Sequence, residues 1–193
     1  CESELDDILH AQLVMEKFSI PYKMVELDDA FLLLSKQLET YFTLDPQKEM
    51  LLKANIKPRL RMLSLYYFAQ AQNYLVLGTS NKSELAVGYT TKYGDSAVDL
   101  QVLGDLHKRQ VYELARYLEI PEVIIDKPPS AGLWPGQTDE QEMGFTYQQL
   151  DDYLETGKGD TEIVNTIQKM MLISEHKKKM PPTPKIPLNL LTL

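Results

Sequence analysis

Hydrophobic positions along the chain switch between two spacings, and the switches mark the elements. Leu5, Ile8, Leu9 and Leu13 recur at helical intervals up to Phe18, behind a capping arrangement of Ser3 and Asp6, so residues 3–18 are predicted to form an amphipathic helix. Pro21 ends it, YKMVEL at 22–27 is short and strand-like, and Asp28 or Asp29 caps a second helix through AFLLLSKQL. A third helical pattern covers 46–72, with a break or kink expected at Pro58 in NIKPRLRM, because proline lacks the donor that a helix interior needs. NYLVLGTS then reads as a buried parallel strand ending in a glycine turn, since a sheet covered on both faces requires a short all-apolar run. Further helices are predicted over 81–87, 107–118, 146–154 and 160–174.

This alternation of helix and strand predicts an α/β fold, a doubly wound and mostly parallel sheet flanked by helices. Ligands in such folds collect beyond the carboxyl ends of the strands, where residues 78–84 sit. A single domain over 1–193 is expected. KPPSAGLWPGQTDEQEMG, residues 127–144, is rich in Pro, Gly and polar residues and far longer than an ordinary connection, which suits a mobile active-site loop. The tail, 175–193, sets four prolines behind a basic patch and predicts an extended arm rather than a helix.

Composition narrows the function classes. A hydrophobic content of 44% with 25% charge supplies one good core. The net charge of −8 excludes a general nucleic-acid binder, which needs a basic surface, yet a local cluster of lysines can still gather an anionic small molecule. Cys1 is the sole cysteine, so no internal disulfide framework is available and a cytoplasmic setting fits best. No run approaches the roughly 18 apolar residues that a membrane span requires.

Four stretches carry candidate chemistry, each with an ordinary structural reading beside it. In GTSNKSE the glycine permits a tight turn, the Thr79 hydroxyl can meet a nucleotide, and the Glu84 carboxylate suits a hard cation such as Mg²⁺; the same residues also make a helix cap. KYGDSAVD offers Lys92, Asp95 and Asp99 around Gly94, as a substrate-holding loop or a solvated turn. In LGDLHKRQ, Asp105 is a candidate cap, and His107, Lys108 and Arg109 oppose the helix dipole in the first turn. That placement suits a phosphate site, or simply a wet face. NIKPRLRM presents Arg59 and Arg61, either for bidentate anion contact or for surface ion pairs. His107 and His176 are too isolated for a metal cluster, and no Ser, His and Asp series has a recognisable elbow.

Taken in order, LVLGTSNKSE, YTTKYGDSAVDLQVLGDLHKRQV, KPPSAGLWPGQTDEQEMG, YQQLDDYL and SEHKKKMPP closely resemble the ammonia-dependent NAD⁺ synthetases, adenine nucleotide α-hydrolase-like ATP pyrophosphatases. The resemblance implies a homodimer that uses ATP and Mg²⁺ to adenylate the nicotinate carboxylate of deamido-NAD⁺, with ammonia then displacing AMP. It makes Thr79, Lys108 and Ser130 ATP contacts, Ser130 standing where relatives commonly carry threonine, and Glu84 a Mg²⁺ ligand. It makes Arg59, Lys92, Asp99, His176 and Lys177 contacts to deamido-NAD⁺, with Asp95 near the point where ammonia arrives. The loop at 127–144 matches the family's segment that orders over substrates and excludes water.

One departure stands out. The family carries an N-terminal Ser-Gly-Gly-x-Asp-Ser loop for pyrophosphate, whereas the first glycine here is Gly78. The expectation is that the first strand, its loop and the first helix are missing from this chain, and that the 193 residues alone are inactive. The competing expectations are a noncatalytic dimeric nucleotide-binding remnant, and a synthetase fed from glutamine by a separate domain.

Overall fold

Each helix end has a local cause. The computed structural model describes residues 4–134 and 136–186. Helix α1 (Leu5–Lys17) starts after Glu4, without a side-chain cap, and α2 (Asp28–Glu39) places Asp28 and Asp29 inside its first turn rather than at the cap. Ser3 lies outside the described residues. Helix α3 (Pro46–Ala54) is capped by Asp45, whose carboxylate accepts the Lys48 N–H at 2.9 Å, and α4 (Ile56–Gln72) follows immediately. The break expected at Pro58 therefore falls at Asn55. Pro58 occupies the first turn of α4, where a missing N–H removes no helical hydrogen bond.

YKMVEL does not form a strand. Tyr22, Met24 and Val25 are exposed, so no face of the run is buried against a neighbour, and residues 21–27 have no regular structure. Of NYLVLGTS only β1 (Leu77–Gly78) pairs, in parallel, with β2 (Leu100–Gln101), Leu77 opposite Leu100. The sheet is two-stranded among the described residues. A Cβ at Gly78 would stand 2.2 Å from Gln101 Oε1 and 2.7 Å from a Val98 methyl, so glycine is what lets the strands approach at this point.

Beyond Gly78 the chain turns straight into α5 (Lys82–Val87), then returns through β2 to α6 (Lys108–Tyr117) and α7 (Glu122–Ile125). Helices α8 (Asp139–Met143), α9 (Tyr147–Thr156), α10 (Thr161–Ile173) and α11 (Glu175–Lys178) complete the order. The core forms where α5, α8, α9 and α10 converge: Val87, Met143, Phe145, Tyr147, Leu150 and Ile167 pack as one buried cluster. In the tail, α11 is one helical turn where an extended arm was expected; 179–186 have no regular structure, and 187–193 lie outside the described residues. No helix among the described residues is long and apolar enough to cross a membrane.

Candidate functional site

A cleft of about 740 Å³ opens beside the carboxyl end of β1. Thr79, Glu84, Asp95, Lys108, Ser130, His176 and Lys177 all line it, drawn from the β1–α5 turn, α5, the α5–β2 connection, α6, the 127–144 stretch and α11. Arg59, Lys92 and Asp99 are outside that lining. Lys108 and Ser130 also border a second, largely apolar slot of about 470 Å³ with Tyr112, Ile124 and Trp134 on its wall.

At one end of the cleft, helix capping and site chemistry use the same side chain. Asn81 Oδ1 accepts the Glu84 N–H at 3.0 Å, and Glu84 Oε2 accepts the Asn81 N–H at 3.0 Å, a reciprocal capping box. The box fixes the Glu84 rotamer, so its other oxygen is held toward α6. Lys108 Nζ donates to Glu84 Oε1 at 2.9 Å while lying 4.6 Å over the Tyr147 ring. The Tyr147 hydroxyl sits between two carboxylates, 2.7 Å from Asp139 Oδ2 and 3.4 Å from Glu84 Oε1.

Asp139 is buried, and its Oδ1 has no hydrogen-bond partner. Burial raises the Asp139 carboxyl above the ordinary range, opposed by the Tyr147 hydrogen bond and by Lys108. A nearly dry carboxylate oxygen beside Glu84 is the donor chemistry a hard divalent cation prefers, so the residues present fit Mg²⁺ in kind. Glu84 nevertheless holds Lys108, and no group of three His, Cys, Asp or Glu residues is gathered as a metal site among the described residues.

At the other end, the chain around Gly88–Ser96 folds against the Asp95 carboxylate, although the residue as a whole stays exposed. Asp95 Oδ1 accepts the Thr91 N–H at 2.8 Å, and burial, opposed by that N–H and by Lys177, raises its pKa. Lys177 Nζ donates to the carbonyls of Gly88 and Thr90 at 2.9 and 2.7 Å, and burial lowers its pKa. Lys92 Nζ stands 3.4 Å from His176 Nδ1, and the Arg59 guanidinium donates to the Lys92 carbonyl at 3.2 Å. Lys92 thus reaches the cleft rim through His176, while Arg59 braces the Lys92 backbone. Asp99 is committed elsewhere, accepting the Val76 N–H at 2.8 Å and facing the Tyr66 hydroxyl at 3.4 Å.

At the start of α6 the phosphate reading narrows to the Lys108 side chain. Residue His107, not Asp105, takes the cap position, its N–H bonded to Gln110 Oε1 at 2.8 Å, while Asp105 pairs with Lys82. The first-turn amides of α6 are already taken: Lys108 N–H by Ser83 Oγ and Arg109 N–H by Asp151 Oδ2, each at 3.0 Å. Arg109 turns outward to Asp152 and Glu155. Of the arginine pair in NIKPRLRM, Arg61 lines the cleft. Sequence reasoning passed over Asp139, Tyr147 and Asp151 as site residues, although TDEQEMG and YQQLDDYL had marked their stretches.

The described residues of 127–144, expected as a loop throughout but ending in helix α8, line the cleft and are tied beside it. Lys57 Nζ donates to the Leu133 carbonyl at 2.8 Å, the Leu133 N–H to Gln137 Oε1 at 2.9 Å, and the Asp139 N–H to the Pro129 carbonyl at 2.9 Å. Ser130 Oγ accepts the Gly132 N–H at 3.0 Å.

Parallel strands, a glycine turn into a helix, and a charged cleft at the strand's carboxyl end mark an α/β protein, and its structural neighbours are synthetases of that class. The chain belongs to the NAD synthase family, whose profile matches residues 1–181. It is 60% identical over 187 residues to the NH3-dependent NAD⁺ synthetase of Syntrophomonas wolfei, covering 97% of this chain and 75% of that protein. Its identity to the enzyme of that name from Carboxydothermus hydrogenoformans is 49% over 184 residues, 95% of this chain and 75% of the relative. Among solved structures, NMN synthetase from Francisella tularensis matches with a TM-score of 0.89 at 38% identity, over 95% of this chain and 75% of that one. NH3-dependent NAD synthetase from Campylobacter jejuni, in complex with nitrate, matches with a TM-score of 0.74 at 29% identity, over 96% and 74%.

Proposed function

We propose that the protein is a C–N ligase that amidates deamido-NAD⁺ to NAD⁺ with ammonia, consuming ATP and releasing AMP and pyrophosphate. The observation that carries this reading is the single cleft shared by Thr79, Glu84, Lys108 and Ser130 at one end and by Asp95, His176 and Lys177 at the other. Two anionic substrates must meet with their reacting atoms adjacent, and two polar ends of one cleft suit that requirement.

In the first step an oxygen of the nicotinate carboxylate attacks the α-phosphorus of ATP, and the bond to pyrophosphate breaks. A carboxylate is a poor acyl donor, so the mixed anhydride is what makes amide formation feasible. Ammonia then attacks the acyl carbon, and AMP leaves with the bridging oxygen. Lys108, Thr79 and Ser130 hold the triphosphate, the lysine ammonium offsetting its charge. His176 and Lys177 hold the dinucleotide from the cleft, Arg59 and Lys92 from its rim, and Asp99, implied as a contact by the family resemblance, would serve only once its carboxylate leaves the Val76 amide. Asp95, whose raised pKa suits a proton acceptor, takes the proton that ammonium sheds before its lone pair can attack.

Glu84, with the unpaired Oδ1 of Asp139, would hold Mg²⁺. Bound there, the cation supplies positive charge to the phosphates. The 127–144 loop covers the cleft and keeps water from the acyl-adenylate. We read β1 and β2 as neighbours in a wider doubly wound parallel sheet, the chain as one domain, the protein as a cytoplasmic homodimer. The structural likenesses to two synthetases support the sheet, and exposed apolar side chains on α2 and α4 support the dimer.

A second acid substrate is worth separating, because one structural neighbour is an NMN synthetase. The full-length protein is incubated with ATP, a magnesium salt and ammonium, and either deamido-NAD⁺ or nicotinate mononucleotide. Equal amounts of NAD⁺, AMP and pyrophosphate in the first arm are expected. Product in the mononucleotide arm alone moves the substrate assignment, and release of ADP overturns the reaction class.

A further inference from the structure

Beyond Tyr147, the motif YQQLDDYL has no part in the site described above, yet it supplies the most deeply placed carboxylate in the region. Asp151, on α9, is 0% exposed. Burying a carboxylate is costly unless hydrogen bonds replace its water. Here the replacements come from the two helices that carry the site's ion pair. Asp151 Oδ1 accepts the Ser83 hydroxyl, and Oδ2 accepts the Arg109 N–H at 3.0 Å. Ser83 is itself 0% exposed, and its oxygen accepts the Lys108 N–H at 3.0 Å.

The geometry has a direct consequence. Ser83 precedes Glu84 in the first turn of α5, and Lys108 opens α6. One buried charge thus ties together the two backbone segments from which Glu84 and Lys108 reach each other at 2.9 Å. It also places negative charge at the amino end of α6, offsetting both the helix dipole and the basic first turn. His107 Nδ1 stands 3.7 Å from Asp151 Oδ1, beyond hydrogen-bond length, so the histidine ring does not replace these donors.

We propose that Asp151, acting through Ser83, is a positioning residue for ATP: it sets the spacing of Glu84 and Lys108 from beneath, without touching substrate. The proposal rests on the reading of Glu84 and Lys108 as ATP-side groups.

The test is a pair of titrations on the full-length protein, ATP in one and deamido-NAD⁺ in the other, at a temperature where each variant is folded by circular dichroism. Asp151→Asn and Ser83→Ala are each expected to raise the ATP dissociation constant about tenfold while moving that for deamido-NAD⁺ by no more than about twofold. A merely structural role lowers the melting temperature and leaves both constants unchanged in the folded variant, which overturns the proposal. Should Asp151→Asn not fold, Ser83→Ala decides alone, because Asp151 keeps its Arg109 amide there. Lys108→Ala is run alongside. Unchanged ATP affinity in that variant overturns the site reading itself and the proposal with it; a loss there with none in the other two overturns only the proposal.

Discussion

Lys108 makes two contacts at once, an ion pair with Glu84 and a cation–π contact with Tyr147. Both partners of the ion pair have side chains only 16% exposed, so removing one leaves a poorly hydrated charge. Lys108→Ala is expected to lower unfolding stability by about 1–3 kcal/mol in urea titration, besides weakening ATP. Asp95 behaves in the opposite sense. Its folded pKa is raised, so the fold binds its proton more tightly than the unfolded chain does, and the group's contribution to stability falls as pH rises through the window above 3.8. Asp95→Asn is therefore expected to keep or raise the melting temperature at pH 7, to flatten that part of the stability profile, and to slow ammonia-dependent turnover. A fall in melting temperature at pH 7 would contradict this. At this scale GTSNKSE and LGDLHKRQ placed Glu84 and Lys108 in first turns of helices, and the family resemblance, not their position alone, suggested what they do there. Asp151 was not legible, because a carboxylate's burial depends on which helix packs over it, and YQQLDDYL alone reads as a solvated face.

Among the elements, α5 is the most constrained. It ends at Gly88 with φ of +66°, and a Cβ there would stand 2.2 Å from Ser174 Cβ, where α10 hands over to α11. Lys177 secures the same junction through the Gly88 carbonyl. Gly88→Ala is expected to cost about 2 kcal/mol or more, from the left-handed backbone and the contact together, measured by chemical denaturation. It should also weaken deamido-NAD⁺ more than ATP, since α11 carries His176 and Lys177. Long helices were readable from spacing: α1, α6, α9 and α10 fall within two residues of their sequence ranges. YKMVEL was misread because alternation indicates a strand only where a neighbouring strand supplies the hydrogen bonds. The break near Pro58 was placed three residues late because proline is tolerated in a first turn, and nothing local announces that a helix starts at Ile56.

For the molecule as a whole, pairing between distant segments is what a single sequence conceals. The parallel register of Leu77 with Leu100 joins segments with a helix between them, and only the apolar run before Gly78 hinted at it. The proposed dimer belongs to the same scale. Leu63 and Tyr67, one turn apart on α4, are exposed, as are Leu32 and Leu33 on α2, which packs against it. Leu63→Asp is expected to shift sedimentation equilibrium toward monomer while leaving helical content unchanged; an unaltered mass would place the contact elsewhere.

Adenylation of the nicotinate carboxylate is the step on which the site assignment depends, and oxygen-18 reads it directly. Deamido-NAD⁺ labelled in both carboxylate oxygens is turned over with ATP, magnesium and ammonium, and AMP, pyrophosphate and NAD⁺ are weighed by mass spectrometry. One label is expected in each AMP and one in each NAD⁺ amide, with none in pyrophosphate. AMP free of label, or label in pyrophosphate, would contradict it.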